Sequence, residues 1–291
     1  MVQQIYRMIA IDLDGTLLSP QSTVSQRTKA AVHQALDAGL LVCFATGRNW
    51  TESRAILDTV EHYDKAVFVG GAMVVDTNKE VTLHRTLMAP QLARDVCAAL
   101  ESMGHAVLVL QDTNNGGCEY LVSGDIELDE STVKWMAVTE STVKRVGRLS
   151  RYEHDHTIRV GIVASPDLSA GIKAKLEETF GKRILCQMLM AIGYGVHVME
   201  VFDPAVNKWQ GILHVAAHHG VRAEEIIAIG DDINDLTMIR NAGMGVAMGN
   251  ARAEVKAAAK RIIGTNSEDG LAIFLEELVA EHKVLPAPQG D

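Results

Sequence analysis

The apolar positions of this chain gather into short continuous runs, and each run stops at glycine or at polar residues. The first, Met8-Ile9-Ala10-Ile11, carries no polar residue on either alternation and reads as a strand covered on both faces; it ends in Asp12-Leu13-Asp14-Gly15. Leu40-Leu41-Val42-Cys43-Phe44-Ala45 repeats the pattern and delivers Thr46-Gly47-Arg48, and Ala66-Val67-Phe68-Val69 runs into Gly70-Gly71. Between these strands, Ser22-Thr23-Val24-Ser25 offers N-cap hydroxyls to a helix that stops near Gly39, and a second helix is expected over 50–60. The alternation β, α, β, α, β is half of a doubly wound domain.

The pattern then changes. Strand-like 73–75 and 81–83 flank Thr77-Asn78-Lys79 and predict a hairpin or flap. Between about 88 and 192 the chain predicts a helix over 90–103, two strands around Asn114-Asn115-Gly116-Gly117, helices near 132–136 and 167–179, and a strand over 157–163. This reads as an inserted α+β module with an antiparallel sheet. The first pattern returns with a strand over 196–201, a helix opened by Asn207-Lys208, and the buried run Ile226-Ile227-Ala228-Ile229 tipped by Gly230-Asp231-Asp232-Ile233-Asn234-Asp235. Further βα units follow to about 282, and the tail 284–291 reads as frayed. The expected fold is α/β: a doubly wound, Rossmann-like parallel-sheet core over 1–85 and 195–291, interrupted by an α+β cap domain over 86–194.

A chain of 291 residues, 47% hydrophobic and 22% charged, is long enough and apolar enough for two globular domains. Its net charge of −10 argues against bulk binding to nucleic acid or an anionic membrane, while leaving room for a local basic pocket. Cys43, Cys97, Cys118 and Cys186 are scattered, without a Cys-x-x-Cys pair, which fits reduced thiols. No basic stretch followed by a long apolar run opens the chain, and no segment offers about 18 uninterrupted apolar residues. The expectation is a cytoplasmic monomer or homodimer whose partner is a small molecule. His154-Asp155-His156 and His218-His219 suggest metal binding only weakly and are left out of the candidate site.

Chemistry enters at the strand ends. In an α/β sheet the carboxyl ends of the strands bring together Asp12 and Asp14, Thr46, and Asp231, Asp232 and Asp235, with Lys208 at the head of the preceding helix. Crowded carboxylates repel, and a hard divalent cation bound through oxygen relieves them. Mg²⁺ suits such a site because it prefers few protein carboxylates together with a substrate phosphate. Each motif alone has a plainer reading. Asp-x-Asp-Gly also fits a turn, Thr46-Gly47-Arg48 a helix cap and a surface arginine, Lys208 a solvated side chain, and Asp232 a helix cap.

Asp12-Leu13-Asp14-Gly15-Thr16, Thr46-Gly47-Arg48, Lys208 and Gly230-Asp231-Asp232-Ile233-Asn234-Asp235 resemble, in order and spacing, the four motifs of the haloacid dehalogenase superfamily. The long insert between the second and third motifs resembles the C2-capped, Cof-type (IIB) sugar-phosphatase-like branch. The resemblance implies a Mg²⁺-dependent phosphatase of small phosphate monoesters, with Asp12 attacking phosphorus and Asp14 serving as acid and then base. It implies Mg²⁺ on the Asp12 carboxylate, the Asp14 main-chain carbonyl and Asp231, with Asp235 in support. Thr46, Gly47, Lys208 and Asn234 would hold the phosphoryl group, and a mobile cap, through 112–120 or 188–194, would set specificity.

Sugar phosphates are the first substrate class so implied; pyridoxal phosphate or flavin-pathway phosphates, phosphomutase chemistry and a phospho-accepting signalling module are the alternatives. Two departures stand out. Relatives often carry Asn-Gly-Ala where this chain has Gly70-Gly71-Ala72, and glycine where it has Trp209.

Overall fold

A computed structural model describes residues 6–112, 118–191 and 195–281; the turn expected at 114–117, the end of the 188–194 stretch and the tail 284–291 lie outside them. The chain opens with β1 (Met8–Ile11), α1 (Gln26–Asp37), β2 (Leu41–Phe44), α2 (Trp50–Val60), β3 (Lys65–Phe68) and β4 (Met73–Asp76). Next come β5 (Val81–Arg85), α3 (Pro90–Ser102), β6 (Leu108–Asp112), β7 (Cys118–Ser123), α4 (Glu130–Val138), β8 (Thr142–Val146), β9 (Thr157–Val163), α5 (Pro166–Phe180), β10 (Leu185–Ala191) and β11 (Val196–Phe202). The chain continues with α6 (Lys208–His218), β12 (Ile226–Gly230), α7 (Leu236–Asn241), β13 (Met244–Ala247), α8 (Ala253–Ala258), β14 (Arg261–Ile262) and α9 (Gly270–Glu281).

Among the described residues one compact unit takes the chain up to Asn49, Ser53–Lys79 and everything from Asn207 onward; the other takes Trp50–Glu52 and Glu80–Val206. The divisions expected at 85/86 and 194/195 fall inside the second unit.

The first unit is built on a parallel sheet in the order β14-β13-β12-β1-β2. All four residues of β1 and all five of β12 are buried, as their unbroken apolar sequences require. The chain winds one way from β1 to β2 and the other way from β12 to β13 and β14. The order therefore reverses between β1 and β12, and the ends of those two strands form the crevice where α/β sheets hold ligands. β3 joins the sheet edge through a parallel bridge from Ala45 to Val67 and then turns back through Gly70 and Gly71, both at positive φ, to pair antiparallel with β4.

The second unit carries a six-stranded sheet in the order β10-β11-β9-β6-β7-β8. It departs from the expected antiparallel arrangement at one pair: β7 and β8 run parallel, because α4 between them serves as a crossover. α3 and α5 bury one face, with Val96, Leu100 and Leu176 in the same core as Val160, Ile162 and Met199. On the opposite alternation Arg159 pairs with Glu200 and donates to the Tyr120 hydroxyl, and the Tyr120 ring stands edge-on to Trp135 at 4.6 Å. Cys43, Cys97 and Cys186 are buried free thiols, raised by desolvation. Among the described residues no helix is long and apolar enough to cross a membrane.

Glu101, on α3, braces this unit from inside. Its carboxylate accepts from Ser123 Oγ (3.0 Å), Leu149 N (2.7 Å) and Ser150 Oγ (2.6 Å). Next to it the buried His154 ring contacts Thr157 Oγ1 and Leu149 O, a packing role rather than a metal-binding one. Glu101→Ala leaves the buried Ser123 and Leu149 donors and the half-buried Ser150 hydroxyl without this acceptor, and we expect it to cost about 2–4 kcal/mol in urea unfolding, since each orphaned buried group costs roughly 1–3 kcal/mol. Glu101→Gln, which keeps an acceptor, is expected to cost less.

Candidate active site

β1 ends at Asp12, and residues Leu13–Leu17 form a tight turn in which Gly15 has φ +83°. That conformation strains any residue with a side chain, and a Cβ there would lie 2.3 Å from Asp231 Oδ2. Glycine thus lets the turn close onto the end of β12. Two asparagines outside the motifs hold it there: Asn250 Nδ2 donates to Gly15 O (2.8 Å) and Asn266 Nδ2 to Leu18 O (2.7 Å), while Asn266 N donates to Asn250 Oδ1 (3.0 Å).

Lys208 sits in the first turn of α6, where the Asn207 side chain caps the helix by accepting from Gln210 N (3.1 Å). Its ammonium is buried and donates to Asp12 Oδ1 (2.5 Å) and Asp235 Oδ1 (2.7 Å). Asp235 in turn accepts at Oδ2 from the backbone N–H of Asp231 (2.9 Å) and Asp232 (3.1 Å). It therefore shapes the loop after β12 and anchors the lysine. Asp231 points back to the first turn and accepts from Thr16 Oγ1 (3.2 Å).

One carboxylate oxygen each from Asp12, Asp231 and Asp235 lie within 4.8 Å of one another. Among the described residues one ammonium, that of Lys208, offsets these three carboxylates, bonding two of them directly. Burial and the neighbouring Asp235 push Asp231 up to about 7. Burial also raises Asp12, and Lys208 only partly offsets it because Asp235 and Asp231 add to the rise. Burial alone would lower the Lys208 ammonium, but Asp12 and Asp235 outweigh it and hold the charge. The unbalanced negative charge and the all-oxygen donor set fit a hard divalent cation.

The other expected residues lie in the same unit. Thr46 is buried just beyond β2; its N–H donates to Val67 O (2.9 Å) and its Oγ1 accepts from Arg48 N (3.1 Å). Gly47 faces Asn234, since a Cβ on it would lie 3.9 Å from Asn234 Nδ2. Asp14 is not one of the three clustered carboxylates. Arg48 grips it with two parallel hydrogen bonds, Nε to Oδ2 (2.8 Å) and Nη2 to Oδ1 (2.6 Å).

Sequence reasoning missed this pairing and the Asn250–Asn266 brace. The arginine of Thr46-Gly47-Arg48 carries a signal only through its place beside the motif threonine, and the asparagines carry none. Asp232 has its plainer role: Oδ1 accepts from Ile233 N (2.7 Å) and pairs with Arg252 Nε (2.5 Å).

The two sequence departures have distinct settings. A Cβ on Gly71 would lie 2.0 Å from Asn207 O, so glycine is what lets α6 begin against this turn; at Gly70 nothing lies within 4 Å. Trp209 is buried and packs into the core.

A family model of haloacid dehalogenase-like hydrolases matches residues 9–275. The chain is 32% identical over 274 residues to the 5-amino-6-(5-phospho-D-ribitylamino)uracil phosphatase YitU of Bacillus subtilis, covering 93% of this chain and 96% of that protein. It is 26% identical over 278 residues to a putative phosphatase of Haemophilus influenzae, covering 95% and 100%. A haloacid dehalogenase-like hydrolase from Bacteroides thetaiotaomicron has the same fold, with a TM-score of 0.77 at 23% identity over 94% of this chain and 99% of that one.

The raised Asp231 carboxyl has a thermodynamic consequence. A carboxyl whose folded-state value lies above its unfolded value of about 3.9 favours the fold in its protonated form, and that contribution is lost as pH rises through the folded value. Chelator-treated protein should therefore lose thermal stability as pH climbs towards and through about 7. Asp231→Asn, which cannot ionise and still accepts from Thr16, is expected to flatten that fall in melting curves taken across the range.

Proposed function

The chain belongs to the haloacid dehalogenase-like hydrolases, and on that premise we propose that it hydrolyses small phosphate monoesters through a covalent phosphate on Asp12, with Mg²⁺ held at the acidic cluster. The observation that carries this reading is the buried Lys208 ammonium between Asp12 and Asp235, with Asp231 alongside: a pre-formed cationic point beside a carboxylate at the end of β1. Asp12, Asp231 and the main-chain carbonyl of Asp14 would hold the cation, with Asp235 supporting them. When bound, Mg²⁺ supplies positive charge that offsets repulsion between an anionic nucleophile and an anionic phosphoryl group.

The residues then divide the work. Lys208 occupies Asp12 Oδ1, so Oδ2 is the oxygen that attacks phosphorus. The Oδ2–P bond forms as the P–O bond to the leaving alkoxide breaks, and Asp14 gives that alkoxide its proton. Water then attacks the same phosphorus, Asp14 takes the proton, and the Oδ2–P bond breaks to release phosphate. Thr46 and Lys208 stabilise charge on the phosphoryl oxygens, and Asn234, next to Gly47, offers an amide donor to the same group. Among the described residues Lys208 is the buried cation of the site, and Asp12 and Asp235 hold its charge against the cost of burial.

For substrate class, the Bacillus subtilis relative is named for a phosphate on a ribityl chain, which supports phosphorylated sugars and sugar alcohols, flavin-pathway precursors among them.

Phosphate release measured across sugar phosphates, ribityl phosphates, nucleotides and cofactor phosphates, with and without Mg²⁺, tests the reading. Turnover should require the metal and should concentrate on sugar or polyol phosphates. Asp12→Asn should reduce it by at least about 10⁴-fold, as loss of a nucleophile does. Metal-independent turnover, or an active Asp12→Asn protein, would contradict the mechanism.

A further inference from the structure

The bidentate grip of Arg48 on Asp14 lies outside the roles assigned so far. Both partners start from fixed backbone. The Arg48 N–H is held by Thr46 Oγ1 (3.1 Å) and its carbonyl accepts from Val69 N (2.9 Å). On the other side, the turn that carries Asp14 is pinned by Gly15 and by Asn250. The guanidinium presents Nε and Nη2 to the two carboxylate oxygens at 2.8 and 2.6 Å. A planar fork on a planar carboxylate fixes the rotation as well as the position of that group, which a single-point lysine contact does not.

The side chains are 19% and 31% exposed, so the pair stands at the accessible edge of the site rather than in the core. A two-point pair of this geometry can add to stability as well as fix orientation, so melting temperature is read beside rate in the test below.

Resting on the reading above, in which Asp14 transfers protons, we infer that Arg48 is a positioning residue: it holds the Asp14 carboxylate in the orientation from which it reaches the leaving oxygen. Proton transfer is sensitive to such placement, since a displacement of about 1 Å costs on the order of 10²-fold in rate. The inference differs from the obvious alternative, that Arg48 binds the substrate phosphate, in what it predicts for different leaving groups. An alkyl phosphate needs its departing alkoxide protonated. A p-nitrophenyl phosphate does not, because p-nitrophenolate is a stable anion.

The test compares kcat/KM, which reports the steps through departure of the leaving group, for an alkyl phosphate and for p-nitrophenyl phosphate in Arg48→Lys, Arg48→Ala, Asp14→Asn and the double variant Arg48→Ala with Asp14→Asn. The Arg48 variants should lose about 10²-fold on the alkyl ester and only a few-fold on the aryl ester, within the range for a general acid. They should add little to the loss in the Asp14→Asn background, and Arg48→Lys should not rescue the alkyl ester.

Equal losses on both esters with a raised KM would overturn the inference in favour of phosphate binding, and equal losses with a lowered melting temperature would overturn it in favour of a purely structural role. If Asp14→Asn itself fails to discriminate between the esters, the acid/base assignment of Asp14 falls and the role of Arg48 with it. If Asp14→Asn discriminates and the Arg48 variants do not, only the role of Arg48 falls.

Discussion

The site depends on one buried cation. Placing an ammonium where water cannot reach it costs several kcal/mol, and the fold recovers that only by meeting it with two carboxylates at hydrogen-bonding distance. Those carboxylates come from the end of β1 and the loop after β12, while the lysine comes from the first turn of α6. Three separate stretches of chain must therefore arrive together. β1 and β12 are adjacent because the sheet order reverses between them, and α6 can begin where it does because Gly71 lets the backbone pass Asn207. Asp235 completes the arrangement by anchoring the lysine with one oxygen and the backbone of Asp231 and Asp232 with the other.

The same cluster carries more negative charge than its lysine balances. The second unit offers a comparison: there Arg159 pairs with Glu200 inside the sheet, burial and pairing oppose each other with Glu52 adding a further negative charge, and Tyr120 takes a further guanidinium hydrogen. At the site no second cation among the described residues closes the balance, and burial and Asp235 leave Asp231 with a carboxyl raised to about 7. A structure selected only for stability would neutralise one of these acids. Retaining all three makes sense where a divalent cation and an anionic substrate group arrive together and redistribute the charge. Asp14 stands apart from this crowd, held by Arg48, which separates the group proposed to move protons from the group proposed to attack phosphorus.

Much of this was legible in the chain because its signals are local. Unbroken apolar runs such as Met8–Ile11 announce buried strands, and polar residues immediately after them announce what the strands present. The order of Asp12, Thr46, Lys208 and Asp231 to Asp235 then brings together residues from nearly opposite ends of the chain, Asp12 and Asp235 among them. What periodicity does not encode is pairing. The parallel placement of β8 beside β7 follows from the crossover through α4, which no alternation pattern reveals. The grip of Arg48 on Asp14, the brace from Asn250 and Asn266, and the reason for glycine at 71 are likewise contacts between distant backbone segments. His154 taught the converse lesson: histidines that invite a metal reading can belong to a packed interior.

The proposed mechanism requires that phosphorus be transferred to Asp12 before it reaches water. Its most direct test is to trap the protein-bound phosphate: Asp14→Asn enzyme mixed with Mg²⁺ and p-nitrophenyl [³²P]phosphate, quenched in acid on the millisecond to second scale, digested and mapped. We expect label on the peptide that contains Asp12, released by hydroxylamine as an acyl phosphate is. Nitrophenol release with no label on the protein, or label on any other residue, would contradict it.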